Sequence, residues 1–242
     1  MSQMLVLEGL TVRMKGALLL KQASAVFDYG TLHAVVGRSG AGKSVLMKSA
    51  SGLLPLEKGE VKIPGLTVRA HDSASFEALR KRMIFVHQDP ALLDELTINE
   101  NLYFTIRRRK DISIPKAQHI IEQWATALGV ESCLYDLPAA VSPGQQRCVA
   151  ILRALCTTPE ILVLDEPTTG LDPKAARDVD RALLKLAELG TTLIIITHDL
   201  RSLRVLEPAI TFVDQGNVLF QGQMNDPRIK SEHPTLYDLM EG

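Results

Sequence analysis

No apolar run in this 242-residue chain approaches the ~18 residues that cross a bilayer as a helix, so no membrane span is expected. Cysteine is scarce: Cys133, Cys148 and Cys156 are odd in number and lack metal-ligand spacing. They read as reduced core or surface thiols of a cytosolic protein. Excess charge is missing as well. A net charge of −1 gives no electrostatic case for a nucleic-acid partner. Aromatic residues make up only 5%, and none interleave the basic run Arg107-Arg108-Arg109-Lys110, which argues against single-stranded nucleic acid. That run reads as a solvated face, or as a contact for acidic groups of a membrane partner or anionic lipid headgroups. Repeats and low-complexity segments are absent. Glu8, Arg13 and Lys15 interrupt the first apolar stretches, so a signal peptide is not expected.

What remains is an ordinary globular composition, 46% hydrophobic and 23% charged, with length enough for a sizeable core. Short strands are predicted at Leu5–Leu7, Leu10–Arg13, Leu32–Val36 and Met83–Val86. From about 92 to 157 the pattern turns helical. Pro115 opens one helix whose Ile120, Ile121, Trp124 and Leu128 share a face, and Ser142 caps another. Ile161–Leu164 is fully apolar, as a parallel strand buried on both faces requires, and Thr192–Thr197 reads as the next buried strand. Between them Asp172-Pro173 starts a helix that Gly190 stops. Ile210–Val213 and Asn217–Phe220 flank Asp214-Gln215-Gly216, a predicted hairpin. Strands alternating with helices argue a mainly parallel α/β sheet, and the block at 92–157 reads as an insertion.

The chemistry is concentrated in Gly37-Arg38-Ser39-Gly40-Ala41-Gly42-Lys43-Ser44, a complete phosphate-binding loop. It lies between a strand and an apolar helix that begins at Val45, the context the motif needs. Gly37, Gly40 and Gly42 let the backbone curl so that successive N–H groups face one anion. The helix N-terminus adds its dipole. Lys43 brings a point charge, and the Ser44 hydroxyl is a ligand for Mg²⁺. A second element, Ile161 to Glu166, ends an apolar strand in two carboxylates. Asp165 is placed to orient Mg²⁺ or its waters, and Glu166 to act on an attacking water as general base. A dinucleotide fingerprint is absent, and the near G-x-S-x-G at 37–41 fails at Ala41.

Taken together the pieces resemble the ATPase subunit of ATP-binding-cassette transporters. In the family's order they are the loop at 37–44, Gln88, Val-Ser-Pro-Gly-Gln at 141–145, Ile-Leu-Val-Leu-Asp-Glu-Pro at 161–167, Gly-Leu-Asp at 170–172 and Thr-His-Asp at 197–199. The resemblance implies a phosphate-loop (RecA-like) α/β core, an N-terminal antiparallel β subdomain and an inserted helical subdomain, all in one domain over 1–242. It implies ATP and Mg²⁺ as ligands, with Gln88, Ser44 and Asp165 around the metal. Gln88 becomes the loop glutamine that senses Mg²⁺ and the membrane partner. His198 becomes the switch histidine on the γ-phosphate. Ser142, Pro143, Gly144 and Gln145 form the signature that meets ATP held by a second, head-to-tail copy, and Asp172 runs along the seam between copies. Membrane-spanning subunits are implied partners, which places the chain at the cytoplasmic face of a membrane.

Three positions depart from the family pattern. Pro143 stands where glycine is usual and removes one N–H. Met14 occupies the position that often stacks on adenine, with Tyr29 or another residue as the alternative. Cys148 replaces a usual arginine, with Arg147 one place earlier. A soluble cassette protein and a phosphate-loop kinase are the competing classes. One cassette without a heptad run disfavours the first, and the 141–145 and 197–199 segments disfavour the second. Arg80–Met83, Ala91–Thr97 and the tail from His233 to Gly242 look like those of Mla/Mce-type lipid-trafficking ATPases, which makes a lipid the expected cargo. A polar amino-acid importer is the alternative.

Overall fold

The computed structural model describes residues 3–107 and 113–241. The chain starts as a long antiparallel hairpin, β1 (Gln3–Met14) and β2 (Ala17–Asp28). The two short strands expected at 5–7 and 10–13 are one. Gly9 takes φ +60° where the register shifts, and this bulge lets the strand continue. Next come β3 (Leu32–Val36), α1 (Lys43–Ala50), β4 (Lys58–Ile63) and β5 (Leu66–Arg69). The antiparallel sheet has the order β2-β1-β4-β5, so half its strands come from beyond α1 and not from the N-terminal segment alone.

Helix α2 (Ser73–Arg82) was not legible as such in the sequence. Asp72 caps it by accepting from the Ser75 N–H at 3.1 Å, and Phe76 and Leu79 are its buried face. Then follow β6 (Met83–Val86), α3 (Ile98–Ile106), α4 (Ile114–Leu128), α5 (Pro143–Leu155), β7 (Ile161–Asp165), α6 (Pro173–Glu188), β8 (Thr192–Ile196) and α7 (Leu200–Leu206). The chain ends with the hairpin β9 (Ala209–Asp214) and β10 (Asn217–Gln223), then α8 (Arg228–Glu232) and α9 (Pro234–Glu241). Of the basic run, Arg107 is exposed, while Arg108, Arg109 and Lys110 lie outside the described residues.

The second sheet has the order β10-β9-β3-β8-β7-β6, parallel except for the β9–β10 hairpin. Period-two alternation divides its residues between two cores. Ile161, Val163, Ile194 and Ile196 face α1 and the antiparallel sheet. Leu162, Leu164, Leu193 and Ile195 face α3 to α6. The inserted helices therefore complete the second core, with Ala117, Ile121, Ala125 and Leu128 of α4 buried against it. Leu236 of α9 is buried in the same core, and Leu239 and Met240 pack on it. The apolar face of the tail is thus covered by the chain itself. No helix of the described residues is long and apolar enough to cross a membrane.

Candidate nucleotide site

β3 leads directly into the glycine-rich loop. Gly37 has φ +151°, and a Cβ there would lie 2.1 Å from the Val213 carbonyl oxygen, so no side chain fits. Gly40 (φ +78°) faces open space. Gly42 (φ +106°) stands at the N-cap of α1 and brings no side chain to the helix's first N–H groups. These donors and the helix dipole are the parts that hold an anion. The β9–β10 turn staples the loop in place. Gly216 N–H donates to Ala41 O at 2.9 Å, and Gly216 O accepts from Lys21 N–H at 2.9 Å. Arg38 and Ser39 are exposed, Ser44 and Val45 half-buried. Buried Lys43 donates from Nζ to Gly37 O at 2.8 Å and Arg38 O at 3.0 Å. Burial pulls its pKa below the usual lysine value, against the raising fields of Glu166 and Asp165.

β7 brings two carboxylates to the same sheet edge. Ser44 Oγ donates to Asp165 Oδ1 at 3.1 Å, and Lys48 Nζ lies 3.5 Å from Asp165 Oδ2. Among the described residues no group of three or more His, Cys, Asp or Glu could hold a metal. A hydroxyl and one carboxylate nevertheless fit Mg²⁺, which takes few protein oxygens and keeps the rest for phosphates and waters. Gln88 is exposed two residues past Val86, which pairs with Leu164, so it follows the end of the strand next to β7.

Glu166 leaves the sheet with φ +50°, a conformation that costs a non-glycine residue about 1–3 kcal/mol. Its N–H stays hooked to Ile196 O at 2.8 Å. Its carboxylate is gripped from both sides: Thr169 Oγ1 donates to Oε2 at 2.9 Å, and His198 Nδ1 lies 2.8 Å from Oε1. A carboxylate oriented this way at a phosphate loop is suited to take a proton from water.

The signature segment lies elsewhere. Ser142 caps α5 in a reciprocal box: its Oγ accepts from Gln145 N–H at 3.3 Å, and Gln145 Oε1 accepts from Ser142 N–H at 3.2 Å. Pro143 takes the first helical position, where its missing N–H costs the helix nothing. Gly144 packs so closely on α6 that a Cβ would sit 2.8 Å from Ala175 Cβ. Asp172 caps α6, accepting from Lys174 N–H at 2.8 Å and Ala175 N–H at 3.0 Å, and these bonds hold its pKa below the usual carboxylate value. Ser142, Gly144, Gln145 and Asp172 line one cleft of about 790 Å³, and no residue of 37–44 lines it.

Of the adenine candidates, Tyr29 sits in the turn before β3, at the strand end away from the loop, and is removed from the site. Met14 ends β1 at the tip of the hairpin whose Leu19 carbonyl oxygen would lie 3.4 Å from a Cβ at Gly42 and 2.4 Å from one at Gly216. Thr169, Lys48 and Gly216 were missed in the sequence. The parts of Lys48 and Gly216 depend on partners distant in the chain, Asp165 and Ala41, whereas Thr169 reaches Glu166 only three residues back.

The sequence matches the family described as ABC transporter over residues 20–169. The glutamate/aspartate import ATP-binding protein of Escherichia coli K12 is 33% identical over 204 residues, 83% of each chain. The methionine import ATP-binding protein of Protochlamydia amoebophila is 31% identical over 222 residues, 91% of this chain, which spans 65% of that relative's length. Among solved structures, a dimeric post-hydrolysis ATP-binding cassette bound to ADP and Pi superposes with TM-score 0.77 at 27% identity, covering 92% of this chain and 99% of that one. The cbiO1 protein of Clostridium perfringens, part of the cbiONQ transporter complex, superposes over the full length of both chains with TM-score 0.84 at 25% identity. This chain belongs to the ABC transporter family, as an ATP-binding cassette.

Proposed function

We propose that the chain is the ATP-hydrolysing subunit of an ABC importer for an amino acid. It works as one domain, docked on membrane-spanning subunits at the cytoplasmic face and paired head to tail with a second copy. The observation that carries the hydrolytic reading is the Glu166 carboxylate, held by Thr169 and His198 beside the Ser44–Asp165 pair. The cargo rests on the relatives, whose printed names are amino-acid importers. They favour the alternative over the lipid cargo suggested by residues 80–97 and the tail.

The phosphates of ATP lie on the amides of 37–44. Lys43 exchanges the carbonyls of Gly37 and Arg38 for the outer phosphates, a stronger charge-assisted pairing. Ser44, Asp165 and Gln88 hold Mg²⁺, which when bound neutralises phosphate charge. Met14 lies under the base as a weak apolar contact. Glu166 takes the proton of the attacking water, and His198 keeps the carboxylate turned toward it. Ser142, Pro143, Gly144 and Gln145 of the second copy close over the same nucleotide, with Asp172 along the seam. Hydrolysis removes the ligand that bridges both copies, and closure loses its differential binding energy.

Lys43→Ala tests the nucleotide reading, because a missing point charge weakens ATP binding by calorimetry at least ~10-fold. Unchanged affinity counts against it. For the cargo, the chain is captured with its membrane partners and reconstituted in vesicles. Stimulation of ATP hydrolysis by methionine, glutamate or aspartate supports import of an amino acid. Stimulation by phospholipid alone refutes it.

A further inference from the structure

α5 carries a buried guanidinium that the proposed chemistry does not use. Arg147 is 6% exposed, and its Nε and Nη1 have no hydrogen-bond partner among the described residues. A buried cation with unmade bonds is costly and calls for a partner. The next residue, Cys148, is buried and neutral, its thiol pushed up to about 12 by burial. It provides no counter-charge.

A carboxylate that acts on Arg147 comes from the segment that carries Gln88. Asp89 faces α5 across a small groove of about 190 Å³, opposite Ala150, Arg153 and Ala154. Arg147 precedes Ala150 and Ala154 by three and seven residues, which puts all three on one side of the helix. Asp89 supplies the carboxylate field felt by Arg147. Its Oδ1 accepts a local bond, from Ala91 N–H at 2.8 Å in an exposed turn. Just beyond, Arg153 grips the same segment, donating from Nη1 to Ala91 O and from Nη2 to Pro90 O, both at 2.7 Å. The loop is thus pinned to α5 at 90–91, while Asp89, next to Gln88, bonds within its own turn.

We infer that Arg147 is a positioning residue for Gln88: the Asp89 carboxylate moves onto the buried guanidinium when Gln88 turns toward nucleotide and metal. The pair then ties the helical insertion to the state of the phosphate site. This rests on the proposed role of Gln88.

Hydrogen exchange on the full chain tests it, with and without MgATP, in a Glu166→Gln background that retains nucleotide. The amides of 37–44 report nucleotide, and those of 88–91 report the loop. In the parent both segments slow with MgATP. Arg147→Gln and Asp89→Asn each remove about fivefold or more of the slowing at 88–91 and leave that at 37–44 intact. The double variant loses no more than either single one, as two members of one pair require. Arg147→Lys restores part of the effect. Full slowing at 88–91 in either single variant, or losses that multiply in the double, overturns the inference. If Arg147→Gln does not fold, Asp89→Asn, a change at an exposed side chain, decides alone. A parent that shows no slowing at 37–44 overturns the nucleotide reading itself, and the inference with it.

Discussion

Glu166 and His198, 32 residues apart in the chain, meet with Nδ1 2.8 Å from Oε1. The Glu166 side chain is mostly buried at 16% exposure, whereas the His198 ring is 61% exposed. Thr169 therefore holds the carboxylate from inside, Ile196 holds the Glu166 backbone N–H, and the ring closes the outer side. Glu166→Gln keeps the shape and removes the base. Hydrolysis slows at least ~10²-fold while ATP affinity stays within about twofold of the parent. Equal turnover in parent and variant by phosphate release would remove Glu166 from the chemistry.

The shared-pocket model makes a separate demand. In that model Ser142 and Gln145, which line a cleft that no residue of 37–44 lines, meet nucleotide from another copy. Ser142→Arg, in the Glu166→Gln background, abolishes the ATP-dependent dimer and leaves the monomer's melting temperature near the parent's. Light scattering with and without MgATP reads the mass. A dimer that persists refutes head-to-tail sharing.

Gly216 gives a test of how the loop is held. A Cβ there would lie 2.4 Å from Leu19 O at φ +79°, so the β9–β10 turn has to move away from β2 and the loop. Gly216→Ala is expected to cost about 1–3 kcal/mol and to lower Tm by several degrees, with weaker ATP binding. At Gly40 (φ +78°) the added methyl meets nothing within 4 Å. There only the backbone strain remains, so Gly40→Ala lowers Tm less. Calorimetry on both variants checks the order.

Burial pushes the thiols of Cys148 and Cys156 up to about 12 from 9.0. In the unfolded chain they ionise near 9, while in the folded chain they stay protonated. Above pH 9 the unfolded state therefore binds fewer protons, and stability falls as pH rises toward 12, by up to about 1.4 kcal/mol per pH unit for each thiol. Urea unfolding between pH 8 and pH 10.5 shows this slope, and Cys148→Ala with Cys156→Ala flattens it. An unchanged slope in the double variant assigns the effect to other groups.

The phosphate loop was legible because its demands are local. Glycine at 37, 40 and 42 answers backbone geometry, and Lys43 and Ser44 follow at the start of the helix that geometry creates. The same holds for Asp165-Glu166 after an apolar strand, and for the Ser142 and Asp172 caps, which bond within three residues. α2 was hidden because only Phe76 and Leu79 of its ten residues are buried, too few for a clear period. The division of β1 into two came from Gly9, a strand breaker by propensity that serves here as a bulge.

The sequence by itself determined the order of the chemical groups, the buried parallel strands and the kind of ligand, since each depends on neighbours a few residues apart. Tertiary structure alone decided that His198 closes on Glu166, that Gly216 braces Ala41 and that Lys48 reaches Asp165. These relations join residues far apart in the chain, and they arise from how two sheets and an inserted set of helices close over their shared cores.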